Sequence, residues 1–390
     1  MKAVLCFAGV LGLVMGLPLF ACLDVDDATQ GFCRENALAE GCTGWGEGRP
    51  MGTPRASHTA TLLDDGRVMV VGGLTGFSTR TPKVEIYDPT TNRWRDLSAL
   101  QTARSDHTAT LLPGDQVLVV GGRGPAGEPL DSAELYNPVT NKWTDAGTLV
   151  SGARASHAAL ELPSTEEVLV AGGGNNPTGG LKSADIYSCR DGSWRRVAEL
   201  NVPRNALSLT LVNGKAVAIG GFNEAGALGS MEAYDPNLSG AGWAMLPASL
   251  GVKRNGHVAT LLGEGRVLVT GSVEGAVSSG VELLDMHGLS SVTAMESMKE
   301  ARFGHTATEL FSGQVLVTGG WKDSKEEAPR ASAELYTPGG SWTLIPPMKT
   351  ARAFHTATLL DSGLVLIVGG IAPKGVGIVP TTELYNPPYE

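Results

Sequence analysis

Histidine shows the clearest pattern among the residues that could bind a metal. Six of the seven histidines stand three residues after an arginine, in units that repeat at steps of 48 to 50 residues, and Leu207 takes this place in the fourth unit. The six are His58, His107, His157, His257, His305 and His355. A ring of imidazoles suggests a metal site, because histidine is a common metal ligand. A residue repeated in almost every unit is better explained by a role in the unit itself, so we expect no metal there.

An arginine and an acidic residue also recur in all seven units. The arginines are Arg55, Arg104, Arg154, Arg204, Arg254, Arg302 and Arg352. The acids are Glu85, Glu134, Asp185, Glu232, Glu282, Glu334 and Glu383. Opposite charges that recur together predict one ion pair per unit, formed within the unit or with its neighbour. If buried, such a pair specifies geometry more than it adds net stability.

The other reactive residues form no catalytic pattern. The sequence has no Gly-x-Ser-x-Gly elbow, no cysteine–histidine signature and no phosphate-binding loop that leads into a helix. Adjacent carboxylates such as Asp64-Asp65 and Glu326-Glu327 stand in predicted turns and loops, where solvated charge explains them. We therefore expect a protein without catalytic residues and without a cofactor. A sugar-converting site built from scattered arginine, glutamate and asparagine residues stays open, because no local pattern reveals such a site.

The recurring residues belong to a unit that predicts four short β-strands. In the first unit, Arg55–Leu63 predicts the first strand, and Val68–Gly73, which ends in two glycines, predicts the second. Val84–Tyr87 predicts a third strand closed by Asp88-Pro89, and Trp94 marks the fourth. Four short strands cannot bury both faces alone, so the units must stack, and radial stacking gives a β-propeller. The expected fold is all-β, a seven-bladed ring of four-stranded antiparallel blades.

The two ends of the chain predict how the ring closes. The seventh unit lacks a tryptophan strand before the chain ends. Trp45 can supply it, since it stands ten residues before Arg55, and the other repeated tryptophans stand ten or eleven residues before their arginines. We therefore expect Gly44–Gly48 to complete the seventh blade.

The fifth unit is the least regular of the seven. Its glycine pair is replaced by Gly271-Ser272, Leu284 stands in the tyrosine position, and no tryptophan precedes Arg302. We expect a poorly packed outer strand there, more simply explained by decay than by docking of a partner.

The Arg-x-x-His start, the glycine pair, the Glu-Leu-Tyr-Asn-Pro stretch and the spaced tryptophan resemble kelch repeats from Trp45 to Glu390. The resemblance implies a kelch propeller but no particular activity, because kelch rings host oxidases, sugar epimerases and interaction modules. A copper-radical oxidase needs spare tyrosines and a crosslinking thiol. Six of the seven tyrosines occupy the repeated third-strand position, which leaves only Tyr389. We therefore expect no such oxidase.

Residues 1–21 resemble the signal peptide of a bacterial lipoprotein. After Lys2, the stretch Ala3–Ala21 carries no charge and ends just before Cys22. The resemblance implies export, a lipid on Cys22, and a protein anchored in the cell envelope that faces the periplasm or the exterior. An uncleaved membrane helix is the alternative, since the stretch is long enough to span a bilayer.

A leader of residues 22–43 would then join the anchor to a propeller of residues 44–390. In an oxidising compartment Cys33 and Cys42 can form a disulfide within this leader, or they remain two free thiols. Cys189 has no evident partner and stands in a predicted turn.

The overall charge restricts the partners. Lysine and arginine total 30 against 40 aspartates and glutamates, which gives a formal charge of -10. An acidic chain without a basic run is a poor nucleic-acid binder, because phosphate neutralisation provides most of that affinity. We expect a monomer that touches a membrane only through its N-terminal lipid and binds a protein or a glycan.

The units differ most just after the glycine pair, where a propeller would present loops on one face. Variable loops on a rigid repeated scaffold are typical recognition sites, although drift without function also explains them. The candidate ligand-binding residues are Trp321, Lys322, Arg123, Phe222, Asn223 and Asn175. The leading hypothesis is an exported module that binds a protein or glycan ligand through this face. The alternative is a carbohydrate-active enzyme of the sugar epimerase or mutarotase kind, using the same face.

Overall fold

The computed structural model describes residues 4–6, 22–24 and 44–388, apart from residues 177, 239, 241, 264, 275, 288–290 and 326. These residues contain β-strands and no α-helix. Val4–Cys6 pairs antiparallel with Cys22–Asp24, and all other long strands belong to seven four-stranded antiparallel sheets. None of the described segments is a helix long and apolar enough to cross a membrane. Cys33 and Cys42, most of the predicted signal peptide and Tyr389 lie outside the described residues.

The first four blades follow one another along the chain, each with its strands in sequence order from the ring axis outwards. Blade 1 contains Thr59–Leu62, Val68–Val71, Val84–Asp88 and Arg93–Leu97. Blade 2 contains Thr108–Leu112, Gln116–Val120, Ser132–Asn137 and Lys142–Thr148. Blade 3 contains Ala158–Leu162, Glu167–Ala171, Ala184–Ser188 and Trp194–Val197. Blade 4 contains Ser208–Val212, Lys215–Ile219, Met231–Tyr234 and Ala244–Met245, with a small extra hairpin of Phe222–Asn223 and Gly226–Ala227.

The last three blades complete the circle. Blade 5 contains Val258–Leu262, Arg266–Glu274, Ala276–Asp285 and Ser291–Ala294. Blade 6 contains Thr306–Glu309, Val315–Thr318, Ala333–Thr337 and Ser341–Ile345. Blade 7 contains Thr356–Leu359, Val365–Val368, Thr382–Asn386 and, as its outer strand, Gly44–Gly48.

The N-terminal strand closes the ring as predicted. It pairs antiparallel with the third strand of blade 7, from Gly44 opposite Asn386 to Gly48 opposite Thr382. The ring of Trp45 packs on Tyr385 with centroids 5.0 Å apart. The prediction of a seven-bladed propeller is therefore confirmed.

The first strand of each blade is shorter than predicted. In blade 1 it begins at Thr59, after the histidine, instead of at Arg55. The second residue after every arginine is left-handed, with φ of 48° at Ser57 and 52° at Phe354, and glycines fill this position in blades 5 and 6. A left-handed residue cannot continue a strand, so the arginine lies in the connection that enters the blade.

The hydrophobic core is divided among the interfaces between blades. Every residue of the second strand Val68–Val71 is buried, and its alternate side chains contribute to different cores. Met69 and Val71 pack with Val117 and Val119 of blade 2, whereas Val68 and Val70 pack with Leu366 and Val368 of blade 7. Each blade therefore needs both neighbours to bury its faces.

The outer strand of the fifth blade is regularly paired, but three of its four residues are exposed, so the expected poor packing concerns its side chains and not its pairing. Ser291–Ala294 pairs in register with the third strand, and Val292 packs against the neighbouring core. The shortest outer strand described is Ala244–Met245 in blade 4, where both residues are exposed. Although a tryptophan precedes this strand, the Nε1 of Trp243 is buried and has no hydrogen-bond partner in the part of the chain that the structure describes.

Candidate functional site

The predicted Arg–acid contacts form, and each forms within its own blade. In blade 1 Arg55 Nη2 lies 2.7 Å from Glu85 Oε1, and both side chains are buried. Desolvation lowers the pKa of Arg55, and the carboxylate of Glu85 opposes that shift. The same contact, at 2.6 to 3.1 Å, joins Arg104–Glu134, Arg154–Asp185, Arg204–Glu232, Arg254–Glu282, Arg302–Glu334 and Arg352–Glu383.

The ion pair also fixes the connection between successive blades. The carboxylate of Glu85 accepts hydrogen bonds from the N–H groups of Gly52 and Thr53, at 2.6 and 3.1 Å. Arg55 Nη1 donates to the carbonyl oxygen of Gly72, the first glycine of the pair, at 2.8 Å. Because one pair holds the entering loop and the end of the second strand together, its role is to position the loops rather than to meet a ligand.

The histidines join neighbouring blades. His107 Nε2 lies 3.1 Å from Thr59 Oγ1 of blade 1, and His157 Nε2 lies 2.9 Å from Thr108 Oγ1 of blade 2. Desolvation by burial, followed by the charges of the repeated arginines, lowers the pKa of His107 to about 3, so its imidazole is neutral. In the described part of the chain no group of His, Cys, Asp or Glu is arranged to hold a metal ion.

Two interfaces lack the usual contact between histidine and hydroxyl, and they show that the two groups occur together. Where Leu207 replaces the histidine, the residue of blade 3 in the hydroxyl position is Ala158, and the two belong to one apolar cluster. Val258 of blade 5 also lacks a hydroxyl, and His305 instead lies 2.9 Å from Thr270 Oγ1. The polar contact is thus either replaced on both sides or satisfied from another strand.

The glycine pair lets adjacent blades approach closely. The N–H of Gly73 donates to the carbonyl oxygen of Arg104 in the next blade at 2.8 Å, and Gly370 closes the circle by donating to Arg55 at the same distance. A Cβ on Gly72 would lie only 2.6 Å from the Arg104 oxygen. Side chains are excluded here by the neighbouring backbone, and this explains why the glycines recur.

A second set of backbone hydrogen bonds surrounds the axis at the end where the blades are entered. The left-handed residues of successive blades are joined N–H to carbonyl, for example Asp106 to Ser57 at 3.2 Å and Ser57 to Phe354 at 3.1 Å. The residue after each glycine pair lies opposite the residue after the arginine, as Leu74 does with Ala56 at 2.7 and 3.0 Å. We call three residues of each blade the channel mouth: the residue after the arginine, the left-handed residue that follows it, and the residue after the glycine pair.

The channel mouth is apolar on one side. Its apolar arc runs through blades 5, 6, 7 and 1 and consists of Val273, Phe303, Trp321, Phe354, Ile371 and Leu74. Phe354 occupies the left-handed region, which bulky residues rarely adopt, and its ring lies over Gly304, where a Cβ would come within 2.9 Å of it. The conformation itself recurs in every blade, so what distinguishes Phe354 is that a large aromatic side chain occupies this position.

Trp321, the leading candidate from sequence, lies inside this arc rather than on its surface. It is 2% exposed and packs with Phe303 and Ala353. Its indole Nε1 is buried and has no hydrogen-bond partner among the described residues. Trp321 therefore supports the arc from beneath and is not part of its exposed surface.

The tips of two adjacent loops extend the apolar arc into solvent. Phe77, between the second and third strands of blade 1, is 100% exposed, and Val376, in the equivalent loop of blade 7, is 66% exposed. Sequence reasoning missed both, although a phenylalanine in a loop of Gly, Ser and Thr residues was a usable signal.

The other side of the channel mouth is polar. Its polar arc, in blades 2 to 4, consists of Ser105, Asp106, Arg123, Ser156 and Asn205, while Phe222 takes the position after the glycine pair in blade 4. Arg123 is half-buried and donates to the carbonyl oxygen of Gly127 at 3.2 Å.

The structure does not bring all six candidates to one place. Phe222 and Asn223 lie half-buried in the small hairpin of blade 4, where Asn223 Nδ2 donates to the Pro203 oxygen at 3.2 Å. Asn175 and Lys322 are exposed in the loops of blades 3 and 6. The candidates thus occupy loops of four different blades around one face, not a single pocket.

The repeats match a known motif. Residues 55–101 and 103–149 match the model of the kelch motif. A kelch repeat and BTB domain-containing protein of Caenorhabditis elegans is 33% identical over 87 residues, which is 22% of this chain and 15% of that protein. Kelch-like protein 41a of Danio rerio is 41% identical over 49 residues, 13% of this chain and 8% of that protein. The matched region is thus a small part of both relatives.

Among solved structures, a fungal alcohol oxidase of the AA5 family in complex with copper has a similar fold. The TM-score is 0.73 at 16% identity, over 89% of this chain and 77% of the oxidase. At this identity the likeness concerns the fold alone. Residues 55–101 and 103–149 are thus similar to kelch motifs, and the described chain forms a closed seven-bladed propeller in which the same residues recur from blade to blade.

Proposed function

We propose that this propeller is an exported module, anchored to the cell envelope through a lipid on Cys22, that binds a protein ligand on its channel-mouth face. The observation that carries the proposal is the apolar arc together with the exposed tips of Phe77 and Val376. Exposed apolar residues grouped on one rigid face are typical of an interaction site, whereas isolated ones are ordinary. The remainder of the chain, whose net charge is -10, keeps the module soluble.

Protein is favoured over glycan because the arc offers buried aromatic support and an apolar surface. Interface anchors are commonly aromatic and surrounded by polar contacts, and the polar arc supplies arginine, asparagine and hydroxyl groups beside it. The alternative of a carbohydrate-active enzyme has less support, since Asp106 is the single carboxylate among the channel-mouth residues. Glycosidic bond cleavage, for comparison, generally uses two flanking carboxylates.

The proposal is tested by removing the exposed tips. The double variant Phe77→Ser, Val376→Ser is compared with the intact protein for capture of partners from an envelope extract, quantified by mass spectrometry, and for binding to a glycan array. The control is Phe311→Ser, because Phe311 is 72% exposed in a turn between first and second strands, on the opposite face.

We expect one protein to be captured by the intact chain and by the Phe311 variant, and lost with the double variant. Capture that is equal in all three, or binding to glycans that depends on the same two residues, contradicts the proposal.

A further inference from the structure

A small cavity lies between blades 1 and 2, on the face opposite the channel mouth. Its volume is about 120 Å³. Leu63, Ile86 and Leu97 of blade 1 and the ring of Tyr136 of blade 2 form its apolar wall. A cavity of about 150 Å³ is known to hold benzene, so this one accepts a ligand of about six non-hydrogen atoms or fewer.

Two arginines of blade 1 line the same cavity with donors that the chain leaves free. The guanidinium group of Arg95 is exposed and forms no hydrogen bond or ion pair with the described residues. Arg67 binds Asp65 through Nε and Nη2, and its Nη1 has no partner in the described part of the chain. Burial raises the pKa of Tyr136, and the charges of Arg95 and Arg67 oppose that shift, so both guanidinium groups lie close to the phenol.

The other polar groups of the cavity wall are already engaged as acceptors. Asp115 contributes a carboxylate, and its Oδ1 accepts the N–H of Asp64 at 2.7 Å. The Oδ1 of Asn141 accepts the Tyr136 hydroxyl and the N–H of Ser98, each at 3.1 Å, which leaves its Nδ2 as a donor. An anion that enters therefore meets two guanidinium groups and an amide beside one occupied carboxylate.

Blade 3 shows how this chain neutralises an arginine at the same place. Arg195 holds the position in the outer strand of blade 3 that Arg95 holds in blade 1. Glu167, which stands where Arg67 stands in blade 1, has its Oε1 2.8 Å from Arg195 Nη2. The chain thus supplies the carboxylate in blade 3, whereas in blade 1 it supplies a second guanidinium group, and the carboxylate has to come from a ligand.

We propose that this cavity binds a small aliphatic monocarboxylate, with its carboxylate on Arg95 and the free Nη1 of Arg67. The alkyl chain lies against Leu63, Leu97 and the ring of Tyr136. Guanidinium groups bind carboxylates through short, charge-assisted hydrogen bonds, and the apolar wall distinguishes this ligand from inorganic anions. The site lies away from the channel mouth and does not rest on the function proposed there.

The test uses the full chain with labelled leucine methyl groups and butyrate as the probe, and NMR follows the methyl signals of Leu63 and Leu97 during titration. Arg95→Thr removes the exposed cation. The fold does not require arginine at this position, because three other blades carry threonine there: Thr144, Thr293 and Thr343.

A second variant and a control complete the set. Arg67→Glu introduces the blade 3 arrangement, in which an internal carboxylate occupies the arginine and displaces the ligand. The control is Arg195→Thr, which removes the same charge from the same position of blade 3. Near-ultraviolet circular dichroism confirms that each variant is folded.

We expect butyrate to shift both methyl signals saturably, with affinity at least about tenfold weaker in both blade 1 variants and changed less than about twofold in the control. Butyramide, which has the same shape without the charge, should also bind at least about tenfold more weakly. Four results overturn the proposal: no saturable shift with butyrate, full affinity in either blade 1 variant, equal loss in the control, or equally tight binding of butyramide or sulfate.

Discussion

Acid should destabilise this ring because its imidazoles are buried between blades in the neutral form. Burial lowers the pKa of His107 and His257 to about 3 and lowers the others of the set well below the usual range. An unfolded histidine has a pKa of about 6.5. Below that pH the unfolded chain binds protons that the folded chain does not. The histidines therefore cost no stability above about pH 6.5, and the free energy of unfolding falls as the pH drops from there towards 3.

The size of the effect follows from the width of this window. One pKa unit corresponds to about 1.4 kcal/mol, so each buried histidine costs about 2 kcal/mol of folding free energy at pH 5. Six such groups amount to about 12 kcal/mol, which is comparable with the whole stability of an ordinary domain. This sum is an upper limit, because partial opening of one interface would relieve one histidine at a time.

The chain provides its own template for removing one of these groups. The double variant His107→Leu, Thr59→Ala reproduces the pair that Leu207 and Ala158 already form between blades 3 and 4. At pH 7.5 we expect a small change, because a hydrogen bond worth about 1 kcal/mol is exchanged for an apolar contact. Between pH 6 and 4 the free energy of unfolding should decline more gently than in the intact protein, by up to about 1.4 kcal/mol per pH unit.

Guanidinium unfolding at a series of pH values measures this slope, and NMR titration of the imidazoles measures the pKa values directly. An unchanged slope in the variant would refute the argument, as would imidazoles in the folded protein that titrate near pH 6.5.

Two further predictions concern the frame of the ring. Glu85→Gln leaves Arg55 charged and buried and should cost about 3 to 5 kcal/mol in thermal or denaturant unfolding, whereas Glu47→Gln breaks only an exposed pair and should cost less than about 1 kcal/mol. Equal effects would show that burial does not matter. Gly121→Ala should destabilise by about 1 to 3 kcal/mol more than Gly114→Ala, since both glycines are left-handed but only the Gly121 Cβ would meet backbone, at 2.7 Å. A difference near zero would mean that the neighbouring blade yields without cost.

Much of the fold follows from the sequence because each recurring residue has one role in every blade. The period, the tryptophan missing from the end of the chain and the extra Trp45 were enough to predict the number of blades and the closing strand. The recurrence of one arginine and one acid was enough to predict the ion pair, but not that it forms within a blade. That choice depends on the path of the entering chain, which turns at the left-handed second residue after the arginine. No residue type marks this position, because Ser, Asp, Ala, Gly and Phe all occupy it.

The binding face was harder to predict because burial there depends on neighbouring blades. Trp321 follows the glycine pair just as Leu74 does, yet it is covered by Phe303 and Ala353 from its own and the next blade. Conversely, Phe77 looks like a loop residue of no consequence until its position beside the apolar arc is known. Local sequence indicates which positions vary, whereas exposure is set by side chains about fifty residues away.

The repeated residues also explain why a variable face can persist on this ring. Three kinds of hydrogen bond recur at the blade interfaces, from the N–H after the second strand to an arginine carbonyl, from imidazole to hydroxyl, and from indole to carbonyl. An interface that lacks the side-chain bonds keeps the backbone bond. The interface between blades 3 and 4 has lost the imidazole contact and the indole contact of Trp243, yet the N–H of Gly173 still donates to the Arg204 oxygen at 2.8 Å. Since none of these bonds involves a side chain of the apolar arc or the polar arc, ligand-contacting residues can change without loosening the circle. Selection for binding and selection for stability therefore act on different residues, and variants at Phe77 or Val376 should alter affinity while the unfolding free energy stays within about 0.5 kcal/mol of the intact protein.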